Sequence, residues 1–348
     1  MANTLGMAAR LAGNSIRFGW YYGINWLIDQ QSRRLSGHVR YKPERPVPSR
    51  QELLGDLARL FLEDAARVRD GLYPAEEDVP GTAGEYIDRL RLMMSDLPSA
   101  LERRASRDAT SARTQAGAEV LPAYYTQDFH FQSGGYLSDE SARLYDVQVE
   151  TLFYGSAAAM RRAGLAPIAR HLRGRDQRQA TLLDVACGTG RFLRQVRLAF
   201  PALKLTGIDL SQPYLDEAAR HMRGLRPADL RAANAEAIPL PDASQDIVTA
   251  IFLFHELPPD VRRRVTAEMA RVLKPGGLFV FIDSIQMGDK PGWDGLLESF
   301  PVRFHEPYFR HYAIDDLGAM FAEAGLAEGG TSLAFLSKVM TRYKVAAG

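Results

Sequence analysis

The sequence predicts an α/β fold: a three-layer domain with a mostly parallel sheet over residues 140–348, preceded by a mostly helical unit over residues 1–139. Three observations carry this. Short β-rich runs at Thr181–Val185, Lys204–Ile208, Ile247–Phe252 and Leu278–Ile282 alternate with helical segments. That order calls for parallel strands with crossover helices on both faces. The first of these strands runs directly into the glycine-rich turn Cys187-Gly188-Thr189-Gly190. Finally, 348 residues exceed what one ordinary domain needs, so two structural units are expected.

Composition narrows the class. Apolar residues make up 46% and charged residues 24%, enough for a substantial core. A net charge of +1 offers no footprint for nucleic acid, so none is expected as a partner. Cys187 is the only cysteine, which rules out a disulfide within the chain and fits a reducing, cytoplasmic setting. The first residues lack the basic cluster, apolar run and small-residue cleavage site of a secretory signal. The uncharged stretch Phe18–Ile28 is too short, at about 1.5 Å per residue, to cross a ~30 Å hydrocarbon layer.

Residues 1–40 are dense in aromatics, with Trp20, Tyr21, Tyr22 and Trp26 flanked by Arg10, Arg17, Arg33, Arg34 and Arg40. Two readings stand. The segment is a helix lying in the inner face of a membrane, its arginines on anionic headgroups, or a helix packed on the protein's own body. Pro43, Pro46 and Pro48 then dictate an extended linker. Over Gln51–Arg69 the spacing of Leu53, Leu54, Leu57, Leu60, Phe61 and Ala65 predicts one buried helix face. A turn around Tyr73–Gly84 and a second helix near Glu85–Arg103, with a break at Pro98, follow. Arg104–Gly117 reads as an exposed loop. Tyr124, Tyr125, Phe129, His130, Phe131 and Tyr136 cluster around Gly134-Gly135 and suggest an apolar acceptor. Internal repeats are absent.

The chemistry begins at Leu182-Leu183-Asp184-Val185-Ala186-Cys187-Gly188-Thr189-Gly190, with a helix opening near Arg191. Glycines let backbone pass close to a ligand, and a helix N-terminus offers unpaired N–H groups. Dinucleotide folds use a similar turn, but Leu193 stands where their third glycine would be. About 20 residues on, Asp209 ends the next strand, where an acid can bind both hydroxyls of a ribose.

Four ordered motifs, D-V-A-C-G-T-G, G-I-D-L-S, A-N-A-E-A-I-P-L-P-D-A-S-Q-D and A-R-V-L-K-P-G-G, resemble those of class I S-adenosylmethionine (SAM)-dependent methyltransferases. The group with the ubiquinone and menaquinone C-methyltransferases is the nearest in flavour, over roughly residues 140–340. The resemblance implies a Rossmann-like, mostly parallel seven-stranded sheet and SAM as cofactor. It implies that Asp184, Ala186, Gly188 and Gly190 surround the amino acid end of SAM. Asp209 would hold the ribose, Leu210 the adenine face, Asn234 and Ala235 the adenine edge, and Ile251 and Phe252 the methionine moiety. Tyr145, in a segment similar to the aromatic cover of this group, would lie over the cofactor. Lys274-Pro275-Gly276-Gly277 reads as a turn before the next strand.

The expected product is a methyl group on carbon or oxygen of a small or lipid-like apolar acceptor. Transfer needs a nucleophile placed in line with the sulfonium methyl, often with removal of a proton. His255, with Glu256 beside it, follows a strand at its carboxyl end, where such sheets bind ligands. His305, Glu306 and Tyr308 lie in an inserted stretch where relatives build their substrate cover. Each has an alternative in local hydrogen bonding, and His130 is a weaker candidate. Scattered histidines show no zinc-ligand spacing, so no metal is expected. Two rival functions remain: a SAM-binding regulator or scaffold without turnover, and a nicotinamide oxidoreductase. Oligomeric state is not legible.

Overall fold

The computed structural model describes residues 2–35, 41–75 and 82–346, with side chains from residue 4 to 30 in the first stretch. Arg33 and Arg34 as side chains, and Arg40 altogether, lie outside the described residues. Helices α1 (Ala2–Leu35), α2 (Arg50–Arg69) and α3 (Ala83–Ser106) open the chain. α2 and α3 begin in capping boxes, Ser49 with Glu52 and Thr82 with Glu85. Each box satisfies two otherwise orphaned backbone donors. α3 runs unbroken through Pro98, contrary to the expected interruption. Pro98 is exposed, so water can take the carbonyl that its missing N–H leaves unpaired.

Then come α4 (Asp139–Leu152), α5 (Ala157–Arg162) and α6 (Leu165–His171). The strands are β1 (Thr181–Val185), β2 (Lys204–Asp209), β3 (Asp229–Ala232), β4 (Gln245–Ile251), β5 (Leu273–Ser284), β6 (Leu326–Ala334) and β7 (Ser337–Lys344). They form one seven-stranded sheet of order β3-β2-β1-β4-β5-β7-β6, parallel except for β7. The connections carry α7 (Arg191–Ala199), α8 (Gln212–His221), α9 (Pro259–Val272), α10 (Asp294–Arg303), α11 (Phe309–Tyr312) and α12 (Leu317–Glu323). The architecture is the mostly parallel, three-layer arrangement expected. Lys274–Gly277 is not a separate turn. It bulges within β5, where the register jumps from Gln245↔Leu273 to Ile247↔Leu278 and Gly276 takes φ +69°.

The helical unit and the sheet share a core. Leu57, Leu60, Phe61 and Val68 of α2 belong to the same buried cluster as β1, β4 and β5. Leu54 does not join them; it stays 39% exposed. Fully buried Asp64 of α2 accepts both nitrogens of a fork from Arg162, at 2.9 and 2.6 Å, plus Asn14 Nδ2 at 2.9 Å and the Tyr73 hydroxyl at 2.7 Å. Arg10 stands 3.9 Å away. Glu150 of α4 likewise pairs with Arg17 at 2.9 Å and Arg161 at 3.0 Å. Arg10 and Arg17 therefore point into the protein, not toward headgroups, because each meets a carboxylate that burial would otherwise leave unpaired.

Arg104–Gly117 is also not a plain exposed loop. Buried Asp128 accepts the backbone N–H of Ser111 and of Ala112, at 2.9 and 2.7 Å, and pins the segment so that Ala112 is fully buried. Among the described residues no helix is long and apolar enough to cross a membrane.

Candidate active site

After β1 the chain turns through Ala186–Gly190 with φ of +55° at Ala186, +53° at Gly188 and +70° at Gly190. Backbone bonds to β2 hold this turn. Cys187 N–H donates to Ile208 O at 2.9 Å, and Gly188 N–H to Asp209 Oδ2 at 2.8 Å. The other Asp209 oxygen accepts Ser211 N–H at 2.8 Å. The two glycines act differently. A Cβ on Gly188 would meet only Tyr214, at 4.0 Å, so that backbone faces open space. A Cβ on Gly190 would sit 2.8 Å from Ala218 Cβ. Gly190 is needed for α8 to pack against the turn.

Tyr145, Ala186, Gly188, Asp209, Leu210, Asn234, Ala235, Ile251 and Phe252 converge on one cleft at the carboxyl ends of the strands. Asp184 and Gly190 do not line it. Asp184 lies beneath the turn, accepting the Thr249 hydroxyl at 2.6 Å. Burial pushes its carboxyl up to about 7, with the Thr249 bond pulling the other way. Burial also raises Asp209, against the N–H groups of Ser211, Gly188 and Leu210. None of the described residues lining the cleft is Lys, Arg or His, whereas Asp209 and Glu256 both line it. Such a cleft favours a ligand that brings positive charge and disfavours a pyrophosphate.

The sequence missed the cleft's aromatic wall. Tyr124, Tyr125, Phe129 and Tyr136 cover it, so most of this cluster faces the glycine turn, while His130 of the same cluster lies outside the cleft. Gly135, at φ +56°, allows the fold-back: a Cβ there would lie 2.4 Å from Gln127 O. Phe129 and Tyr136 stack at 5.4 Å, and Tyr136 donates its hydroxyl to Glu256 Oε1 at 2.5 Å.

A second cavity of about 590 Å³ opens alongside. Phe18 and Tyr22 of α1 and Leu53, Leu54 and Leu57 of α2 form one wall; Phe300, Phe304 and Phe309 form another. This is why Leu54 is not in the core. Tyr145, Phe252 and Glu256 line both spaces and mark where they meet. Phe252 reaches that place through a strained φ of +58° just beyond β4.

His255 lines the second cavity. Its Nδ1 lies 2.6 Å from Asp283 Oδ1, at the end of β5, and Asp283 Oδ2 accepts Phe254 N–H at 2.7 Å. Burial lowers the imidazole's proton affinity, but the Asp283 carboxylate more than reverses this and carries it up to about 10. Asp283 escaped the sequence reading because only the β4–β5 pairing, Ile251 beside Ile282, brings it to His255. Burial raises Glu256 to about 7, opposed by His255.

Glu306 is 2% exposed, and burial pushes its carboxyl well above the usual range. It lies 3.2 Å from His130 Nε2. His305 and Tyr308 line neither space. His305 Nε2 is 3.0 Å from Gln127 Oε1, and Gln127 Nε2 donates to the Tyr308 hydroxyl at 3.0 Å. Both anchor the inserted stretch to the aromatic segment.

A methyltransferase-domain family model matches residues 182–277. The ubiquinone/menaquinone biosynthesis C-methyltransferase UbiE of Methylobacterium nodulans is 34% identical over 185 residues, covering 52% of this chain and 67% of that protein. The demethylmenaquinone methyltransferase of Listeria welshimeri is 33% identical over 153 residues, covering 43% and 60%. Human N-acetylserotonin methyltransferase, solved in complex with SAM, superposes with a TM-score of 0.50 at 14% identity over 74% of this chain and 70% of that one, which bears on the fold alone. Sequence relatives, motif order and sheet agree: the chain belongs to the class I SAM-dependent methyltransferases, resembles their UbiE group and takes SAM as its cofactor.

Proposed function

We propose that this methyltransferase transfers the SAM methyl group to a carbon or oxygen of a lipid-like, ring-bearing acceptor held in the 590 Å³ cavity. The observation that carries the reading is the junction of the two spaces at Tyr145, Phe252 and Glu256. SAM seated over Gly188 and Asp209, with adenine toward Leu210, Asn234 and Ala235, would present its methyl there. The relatives named for ubiquinone and menaquinone methylation support an acceptor of that chemical kind.

In the transfer the acceptor gives up one proton to solvent, and its electron pair forms a bond to the methyl carbon as the carbon–sulfur bond breaks, leaving neutral S-adenosylhomocysteine. His255, oriented through Nδ1 by Asp283, turns Nε2 to an acceptor oxygen and stabilises it as phenolate or enolate by a charge-assisted hydrogen bond. Residues 1–139 act as a cap over residues 140–348, since α1 and α2 supply cavity wall. The outward face of α1 meets a membrane surface, from which the acceptor enters. Leu5, Ile16, Trp20 and Leu27 share one side of that helix and are all more than half exposed, as is Trp26.

Release of S-adenosylhomocysteine with a demethylated quinol in detergent tests the proposal. Turnover with that acceptor, absent with water-soluble catechols, is the expected result. SAM binding without any turnover would point to a non-catalytic regulator.

A further inference from the structure

We propose that His130, Glu256 and Glu306 form a binding site for one divalent transition-metal cation between the cofactor cleft and the acceptor cavity, a proposal that rests on the methyltransferase reading for its role. The three side chains come from distant parts of the chain: the aromatic segment, the turn after β4 and the stretch after α10. One ligand atom from each lies within 4.8 Å of the others, close enough for a single ion to span. An imidazole and two carboxylates are a donor set for a first-row cation, with coordination positions left open. No such set was legible in sequence, because the ligands share no local spacing.

Glu306 provides the second, independent observation. It is 2% exposed, and neither carboxylate oxygen has a hydrogen-bond partner among the described residues. His130 Nε2 approaches Oε1 at 3.2 Å without hydrogen-bond geometry. A buried carboxyl with both oxygens unmet either keeps its proton or meets a cation, and a bound metal ion would satisfy both oxygens' lone pairs. His130 is aimed at it by strained backbone: φ is +56° there and +59° at Phe131. Strain of this kind is retained where a side chain must be placed. His130 N–H is tied to His305 O at 3.3 Å, which fixes the ring between Phe300 and Phe304.

His130 and Glu256 also line the acceptor cavity, so open positions on the ion would face an acceptor oxygen beside His255. The ion would bind and orient that oxygen; the methyl transfer itself needs no redox change.

Co²⁺ is the probe, since its visible d–d absorption reports inner-sphere ligands. The full chain, stripped with chelator, is titrated with Co²⁺ by absorbance and calorimetry. One equivalent should bind to wild type and give d–d bands, and H130A and E306Q should each weaken it at least tenfold. SAM titration of the same samples should show unchanged affinity, because neither residue lines the cofactor cleft. Absence of a Co²⁺ site in wild type, or equal binding by both variants, overturns the metal site and leaves the methyltransferase reading standing. Loss of SAM binding in wild type is the separate failure of that reading.

Discussion

Asp209 is tied into the structure at the same place where the proposed reading seats the ribose. It already receives N–H groups from Gly188 and Ser211, so its removal loosens the turn as well as a ribose contact. Asp209→Ala should weaken SAM by about 1.5–3 kcal/mol, roughly tenfold or more, measured by calorimetry. An unchanged dissociation constant would place the ribose elsewhere. His255 should behave oppositely. His255→Ala should keep SAM affinity and lower kcat by about 10²–10³, the scale for one oxyanion-stabilising donor. Asp283→Asn should fall less, since it keeps an acceptor for Phe254 N–H. A His255 variant with full kcat on the true acceptor removes the dyad from the mechanism. Residue type and strand-end position made Asp209 and His255 candidates in the sequence. Asp283 was not, because its meaning comes from a neighbouring strand.

At the scale of elements, close packing fixes what substitutions the turn accepts. A side chain at Gly190 meets both a left-handed φ of +70° and Ala218 at 2.8 Å. Gly190→Ala should cost about 2–4 kcal/mol in urea unfolding, from strain plus overpacking. Gly224→Ala, also left-handed at φ +77° but with open space around it, should cost only the strain, about 1–2 kcal/mol. Equal losses would mean that α8 yields. For α1, the exposed apolar stripe predicts that the full chain sediments with liposomes. Replacing Trp20 and Trp26 together with Ser should release it without unfolding, since both are more than half exposed. Equal sedimentation of the two proteins would sink the membrane face.

For the whole molecule, the Asp64 network joins α1, α2 and α5 into the core that also holds the sheet. Burial opposes ionisation of Asp64, but Arg162, Arg10 and Asn14 outweigh it and hold the carboxyl down at about 2. The folded value is below the unfolded one. Its stabilisation is therefore complete above about pH 4 and is lost as pH falls toward about 2. Asp64→Asn leaves Arg162 without its counter-charge and should cost about 3–5 kcal/mol at neutral pH. Urea unfolding across this range should show wild type losing its advantage over the variant between pH 4 and 2. A constant difference would mean that Asp64 is not ionised in the folded protein.

The sequence by itself determined the sheet and the cofactor, and it picked out most of the residues that the structure gathers at the cleft over the glycine turn. Strand periodicity and a glycine turn are local, and a strand-end acid some 20 residues on is placed by the βαβ geometry alone. Leu193 in place of a glycine already argued against a dinucleotide. Only the tertiary structure decided which aromatics cover the cleft, that Leu54 faces a cavity, that Arg10 and Arg17 turn inward to buried carboxylates, and that His305 and Tyr308 bond to Gln127. It alone brought Asp283 to His255 and Glu306 to His130. Those pairings join residues 28 to 176 positions apart, and contacts made at such range depend on the packing of whole elements and leave no period in the chain.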